Sequence, residues 1–225
     1  MRLVHPDFLF PLEFKENEIF TVVVEKSALL VDTVTELKRQ IEGAEGQWAL
    51  SEGSTVFDMK KSCEMILDPF SLQVNNRKIL NALYDSLEDE FFQGEGLLHW
   101  NECCSHIYTC LERVAAVSEY DLSYVEDIQF KDFLKFGNME FRMDDRGFLE
   151  RLLDYFDLAS RVLKIKLFIC VNLKSFLSQE QLVYLWEECC YKKYQLLLLE
   201  GVGGVNRRLK GERLVIVDND LCVIE

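Results

Sequence analysis

No part of the chain approaches the roughly 20 consecutive apolar residues that a membrane-spanning helix needs. Its pure apolar runs, such as Leu196 to Leu199, are strand-sized. The opening residues, Met1 to Pro6, carry no apolar signal core, so a soluble cytoplasmic protein is expected. Histidine is scarce: His5, His99 and His106 are the only three. None sits in a recognisable nucleophile motif, so no nucleophile-and-base pair is legible and no enzyme is expected. Neither GxxxxGK[ST] nor GxGxxG occurs. Gly201-Val202-Gly203-Gly204 follows an apolar run but opens no helical pattern, so no phosphate loop is expected there. There is also no CxxC among the eight cysteines. Cys103-Cys104 and Cys189-Cys190 are adjacent pairs in helical patterns, and Cys63, Cys170 and Cys222 lie in apolar runs; reduced thiols are expected. Positive charge is short too, with 25 bases against 39 acids and a net charge of −14. Taken as a whole, that total argues against nucleic acid.

The distribution of charge says something different. Residues 84–158 hold 18 acids and 6 bases, whereas residues 160–213 hold 10 bases and 5 acids. The first block has the composition to attract cations and the second to face a polyanion, although both are also what solvated surfaces look like. With 49% apolar and 12% aromatic residues, the chain has enough apolar surface to form a core, and disorder is excluded. Its 225 residues allow one large domain or two small ones.

Periodicity places the elements. Residues 18–24 read as a buried strand, being β-branched and apolar. Leu30, Val34, Leu37 and Ile41 recur at helical spacing, and Gly43 ends that helix. Residues 47–51 and 63–67 read as strands, and a helix from about Asn76 turns Ile79, Leu80, Leu83 and Leu87 inward. From about 76 to 163 the pattern is mostly helical. Ile107, Leu111, Val114 and Val117 mark one long helix, Phe130, Phe133 and Leu134 a short one stopped by Gly137, and Phe148, Leu152, Tyr155 and Phe156 another. A strand-like piece at 139–143 interrupts them. Residues 165–171 and 194–199 are apolar strands around a helix opened by the capping box Ser178-Gln179-Glu180-Gln181, a βαβ unit with parallel strands. Residues 213–217 and 221–224 form a last strand pair around Asp218-Asn219-Asp220. The expected fold is α/β: a head built from both chain ends (1–83 and 160–225) with an inserted, mostly helical domain (84–159).

Three groups of side chains carry possible chemistry. His99, Cys103, His106 and Cys110 share a helix face, but eleven residues of helix span ~16 Å. One zinc ion cannot touch all four, and a core or interface stripe is the plainer account. Glu119, Asp121, Glu126, Asp127 and Asp132 fall within fourteen residues between two helices. Such oxygen-rich groups suit calcium, yet no glycine lies among them as in an EF-hand, and a solvated connecting loop is the plainer account. Lys174 lies just past a strand end, Lys192 and Lys193 end a helix, and Arg207, Arg208 and Lys210 crowd a short polar stretch. These six are the candidate phosphate contacts, if they converge; a helix C-terminus also favours cations without any ligand.

Longer stretches resemble a known family. Leu67 to Asn76 with Lys78-Ile79-Leu80, Asp121-Leu122 followed by Phe133-Leu134-Lys135-Phe136-Gly137, and Ile165 to Asn172 through Phe176-Leu177-Ser178 to Leu197-Leu198-Leu199-Glu200 are similar, in order and spacing, to the small accessory proteins of type II-A CRISPR spacer-acquisition modules. That resemblance implies a degenerate nucleotide-hydrolase-like head with a helical leg, binding no nucleotide and catalysing no reaction. It implies a homotetrameric ring that holds ends of linear double-stranded DNA without sequence preference, is stabilised by calcium in the acidic segment, and assists the CRISPR integrase and effector nuclease. A basic hole in an acidic body would admit duplex there and repel it elsewhere. Two departures stand out. Gly201 and Val202 replace the family's proline and arginine, and Ser123, Tyr124 and Val125 replace acidic positions. The competing expectation is a protein-interaction scaffold of the acquisition complex with little DNA affinity of its own.

Overall fold

A computed structural model describes the chain except for residues 7, 9, 143–145, 205–208, 210 and 225. It is mixed α/β, with seven helices and two sheets among the described residues. In order these are β1 (Arg2–Val4), β2 (Leu12–Glu13), β3 (Ile19–Val24), α1 (Ser27–Ile41), β4 (Ala49–Glu52), β5 (Thr55–Phe57), α2 (Met59–Ser62), β6 (Cys63–Ile66), α3 (Arg77–Phe92), α4 (Gly96–Ala116), α5 (Phe130–Phe136), α6 (Phe148–Val162), β7 (Leu167–Val171), α7 (Gln179–Lys192), β8 (Gln195–Glu200), β9 (Glu212–Val217) and β10 (Val223–Ile224). Short 3-10 turns occupy Leu173–Phe176 and Val202–Gly204. The chain divides into two compact units, Met1–Val74 with Asp145–Glu225, and Asn75–Asp144.

The first unit is organised by a six-stranded sheet of order β10-β9-β3-β8-β7-β6. Only β10 runs antiparallel to its neighbour. Parallel strands in the middle of such a sheet are covered on both faces. All six residues of β3 are accordingly buried, as its unbroken apolar sequence requires. Phe20, Val22 and Val24 pack with Leu197, Leu199, Leu167 and Ile169, with Leu37 of α1, and with Leu3, Leu12 and Leu50 of a second, antiparallel sheet of order β2-β1-β4-β5. On the opposite face α6 lies against β7 and β6: Phe156 stacks on Phe168 at 4.3 Å, and the Tyr155 hydroxyl donates to Glu64 Oε1 at 2.8 Å. Helix α7 opens with the expected capping box: the Gln181 backbone N–H donates to the Ser178 hydroxyl, and Gln181 Oε1 accepts the Ser178 backbone N–H. All eight cysteines are free, and Cys63, Cys170 and Cys189 are buried. Burial pushes the Cys63 thiol up to about 12, with Asp58 and Glu64 adding to the shift.

The second unit holds α3, α4 and α5. Asn76 caps α3 by accepting the Ile79 backbone N–H at 3.0 Å. Residues 139–142 form no strand, contrary to the strand-like pattern there; residue 143 lies outside the described residues. Side chains serve this backbone instead of a neighbouring strand. Asn75 both donates to and accepts from the Phe141 backbone at 3.0 Å, and the Tyr84 hydroxyl donates to the Met139 carbonyl at 3.0 Å. The unit's core is small: Tyr84, Phe130 and Leu134 are buried, with Leu80, Leu83, Leu87, Phe92 and Trp100 partly covered around them. Val114 and Val117, which mark the long helix in the sequence, are 61% and 84% exposed. No described helix is long and apolar enough to cross a membrane.

Candidate nucleic-acid interface

The described part of the expected basic set divides in two. Lys174, in the 3-10 turn after β7, is not at the surface. It is 1% exposed and its ammonium pairs with the Glu212 carboxylate. An ion pair withdrawn from water in this way is not offered to a phosphate, so Lys174 is removed from the candidate contacts. Its sequence position just past a strand end suggested solvent, but the acid that buries it lies 38 residues further along. Arg207, Arg208 and Lys210 lie outside the described residues.

Lys192 and Lys193 do lie at a surface. Lys192 closes the last turn of α7, and Lys193 caps it in the left-handed conformation, φ 58°. The turn brings the chain straight into β8, whose Gln195 pairs with Leu167 at the start of β7. Lys166 and Lys164, both exposed, therefore sit at the same edge of the sheet, and Arg161 in the last turn of α6 shares an acid with Lys192. That acid is Asp157. It accepts from Lys192 Nζ at 3.0 Å and the Tyr194 hydroxyl at 2.9 Å, and Arg161 Nε lies 3.1 Å from its other oxygen. Partial burial alone would raise the Asp157 carboxyl. The hydrogen bonds from Lys192 and Tyr194 and the charges of Lys192 and Arg161 outweigh it and hold the group below its ordinary value.

Beside these residues a polar cleft of about 290 Å³ is lined by Lys166, Lys193, Ser160, Tyr194, Gln195, Glu16 and Glu52, among others. Lys193 Nζ is 3.7 Å from Glu16 Oε1, both side chains being 70% exposed. Lys166 Nζ rests 4.6 Å over the Phe57 ring. Five cations (Arg161, Lys164, Lys166, Lys192 and Lys193) thus collect where α6 and α7 end and β7 and β8 begin. Exposed ammonium groups in such an array can contact a phosphate backbone without reading bases. Arg161, Lys164 and Lys166 were not singled out from the sequence. The available signal was the concentration of bases after residue 160; what was missing was that α6 and α7 end side by side.

The acidic group does not assemble in the single chain. Glu119, Asp121, Glu126, Asp127 and Asp132 are all exposed. Asp127 accepts from Gln129 Nε2 at 2.7 Å, and Asp132 pairs with Lys135 at 2.9 Å. Among the described residues no group of three or more His, Cys, Asp or Glu could hold a metal ion. Six to eight oxygen ligands are needed for calcium, so these residues as arranged do not fit it. The His/Cys stripe of α4 is open as well: His99, His106 and Cys110 are exposed and Cys103 is partly covered. His5 is distant from both groups in sequence, buried, with Nε2 3.0 Å from Glu36 Oε2.

Comparison with known proteins adds one finding. The profile of a family described as CRISPR-associated protein (Cas_Csn2) matches residues 40–221. No curated protein matches the chain.

Proposed function

The chain belongs to the Cas_Csn2 family of CRISPR-associated proteins, and from that premise we propose that it is a non-catalytic spacer-acquisition protein: a homotetrameric ring that holds ends of linear duplex DNA through their phosphates. The observation that carries the DNA part is the gathering of Arg161, Lys164, Lys166, Lys192 and Lys193 at one edge of the first unit, in a chain whose net charge is −14. Four copies repel DNA everywhere except where cations converge, and that confines the contact.

The oligomer is supported by α4. Cys103, Cys104, Ile107, Leu111 and Ala115 follow one another at helical spacing and are only partly covered, while Trp100 and Tyr108 on the same stripe meet Phe130 and Glu126 of their own unit. A face of that kind is completed by another copy of the chain. We further read the first unit as a nucleotide-hydrolase-like head without its phosphate loop. Its central strand β3 reaches α1 through Glu25 and Lys26 alone, neither of them glycine. Integrase and effector nuclease are the proposed partners. Calcium has no part in this reading, because the five carboxylates do not fit it.

The test is a gel shift with linear and covalently closed duplex of one sequence, at two salt concentrations, with the protein's mass measured in parallel. Linear DNA should bind preferentially to a tetramer and weaken with salt. The triple charge reversal Lys164→Glu, Lys166→Glu, Lys193→Glu should remove binding, each lost phosphate contact lowering the salt slope by about 0.9. Equal binding to closed circles would sink the ring. Unchanged binding by the triple variant would sink this surface. The alternative, an interaction scaffold, draws on the strong net acidity; it predicts no DNA shift and an intact partner complex.

A further inference from the structure

The connection between β8 and β9, residues 201–211, starts after one buried glutamate and ends before another. Glu200 is the last residue of β8 and Glu212 the first of β9. Both meet the same residue. Lys174 donates its backbone N–H to Glu200 Oε1 at 3.1 Å, and its ammonium pairs with Glu212 Oε1. The Thr21 hydroxyl of β3 donates to that same Glu212 oxygen, and Glu212 Oε2 accepts the Leu209 backbone N–H at 2.8 Å. Lys174 and Glu200 are essentially without exposed surface, and Glu212 is 8% exposed.

We propose that Lys174 is the clasp holding both feet of the 201–211 connection, and that the clasp is tightest while the Glu200 carboxyl carries a proton. One ammonium faces two carboxylates in a site with no water-exposed surface. With both ionised, the described groups of the site carry one more negative charge than positive, which burial penalises heavily. A proton on Glu200 leaves the Lys174–Glu212 pair neutral overall. The unpaired atom is in the right place: Glu200 Oε2 is buried and has no hydrogen-bond partner among the described residues. Among the described residues, the titratable groups facing Glu200 are Lys174 from the 3-10 turn, Glu212 from β9 and the Cys170 thiol from β7. Burial raises the Glu200 carboxyl to about 7; hydrogen bonds from the Lys174 and Leu173 backbones and the Lys174 charge only partly oppose it, and Glu212 adds to it.

The sign follows. A carboxyl whose folded value is raised stabilises the fold below its unfolded value, and that contribution is lost as pH rises toward about 7. Raising the pH from 6 to 8 therefore loosens the clasp. This inference does not depend on DNA binding.

Native-state hydrogen exchange tests it, with rates corrected for the intrinsic pH dependence of amide exchange. In the wild type, the amides of Lys174, Gly201 and Leu209 should exchange about tenfold faster at pH 8 than at pH 6, the change that one unit of pKa difference corresponds to. Amides in the middle of β3 and β7 should not change. Glu200→Gln, which is neutral at every pH, should keep these three amides protected throughout. Lys174→Met should expose Gly201 and Leu209 at both pH values. Protection in the wild type that ignores pH, or a Glu200→Gln protein with the same pH response, overturns the proposal. So does a folded Lys174→Met protein with wild-type protection. If Lys174→Met does not fold, Glu200→Gln decides alone.

Discussion

In the first unit, β3 is buried at every one of its six positions and β8 at five of six. In the second, the 21 residues of α4 include one buried residue, Gly96. The two units are made from similar proportions of apolar side chains, but those side chains meet different fates. A parallel strand between two covered faces buries whatever it carries. A helix buries only the stripe that a neighbour covers, and α4 is about 32 Å long at 1.5 Å per residue, more than the two short-contact neighbours α3 and α5 enclose. The first unit can therefore be stable by its own packing. The second depends more on what covers its helices, and the partly covered stripe of α4 is what the proposed oligomer would bury.

The largest expected effect sharpens that contrast. Phe156 has no exposed surface and stacks on Phe168. Phe156→Ala should cost about 3–5 kcal/mol in urea unfolding. Phe130 anchors the second unit, stacked on Phe91 at 4.8 Å and edge-on to Trp100 at 5.2 Å, but Phe91 is 38% exposed. A site open on one side collapses more easily around a lost ring, so Phe130→Ala should cost about 2 kcal/mol, with lost amide protection confined to residues 75–144. Equal costs would mean that the second unit has as good a core as the first, and the contrast would fail.

A smaller effect tests the open face directly. Ile107 lies in the middle of the α4 stripe and is only partly covered. Ile107→Asp should leave the circular dichroism of the single chain nearly unchanged and lower its assembly state, as read by light scattering. An unchanged mass would remove this stripe as the surface of the proposed oligomer.

The legible parts of the fold share a physical property: their signals are local. The β-branched run of β3, the capping box at Ser178 and Gln181, the helix start near Asn76 and the stop at Gly43 each depend on a few neighbouring residues, and all fell where expected. The antiparallel sheet was only partly legible. β1, β2 and β5 have two or three residues each, too few for a period-two pattern to show. The piece at 139–142 had strand-like residues but no partner strand, and Asn75 and Tyr84 satisfy it instead. In the basic set, exposure was legible at one place and not at another. Lys192 and Lys193 end a helix, where exposure is the rule. Lys174 is buried and paired with Glu212, whose carboxylate the Thr21 hydroxyl also meets; these residues are far from Lys174 in the chain, and no spacing rule reaches that far.

The smallest effect concerns ion pairs, and it too separates the units. Asp157 in the first unit is partly sheltered and receives Lys192, Arg161 and Tyr194 together. Lys131 in the second unit bridges Asp85 at 2.6 Å and Glu88 at 3.0 Å, on an exposed surface. Exposed pairs contribute little because water screens them and long side chains lose freedom in making them. Lys131→Met should therefore leave the melting temperature unchanged. Asp157→Asn should cost about 0.5–1 kcal/mol at neutral pH. Its pH dependence carries the sign: the carboxyl is held below its ordinary value of 3.8, so its contribution is present above that value and lost as pH falls through the lowered one. Wild type and Asp157→Asn should differ at pH 7 and converge in acid. A constant difference down to pH 2 would mean that Asp157 acts by packing rather than by charge, and that the cations at this edge hold their positions without it.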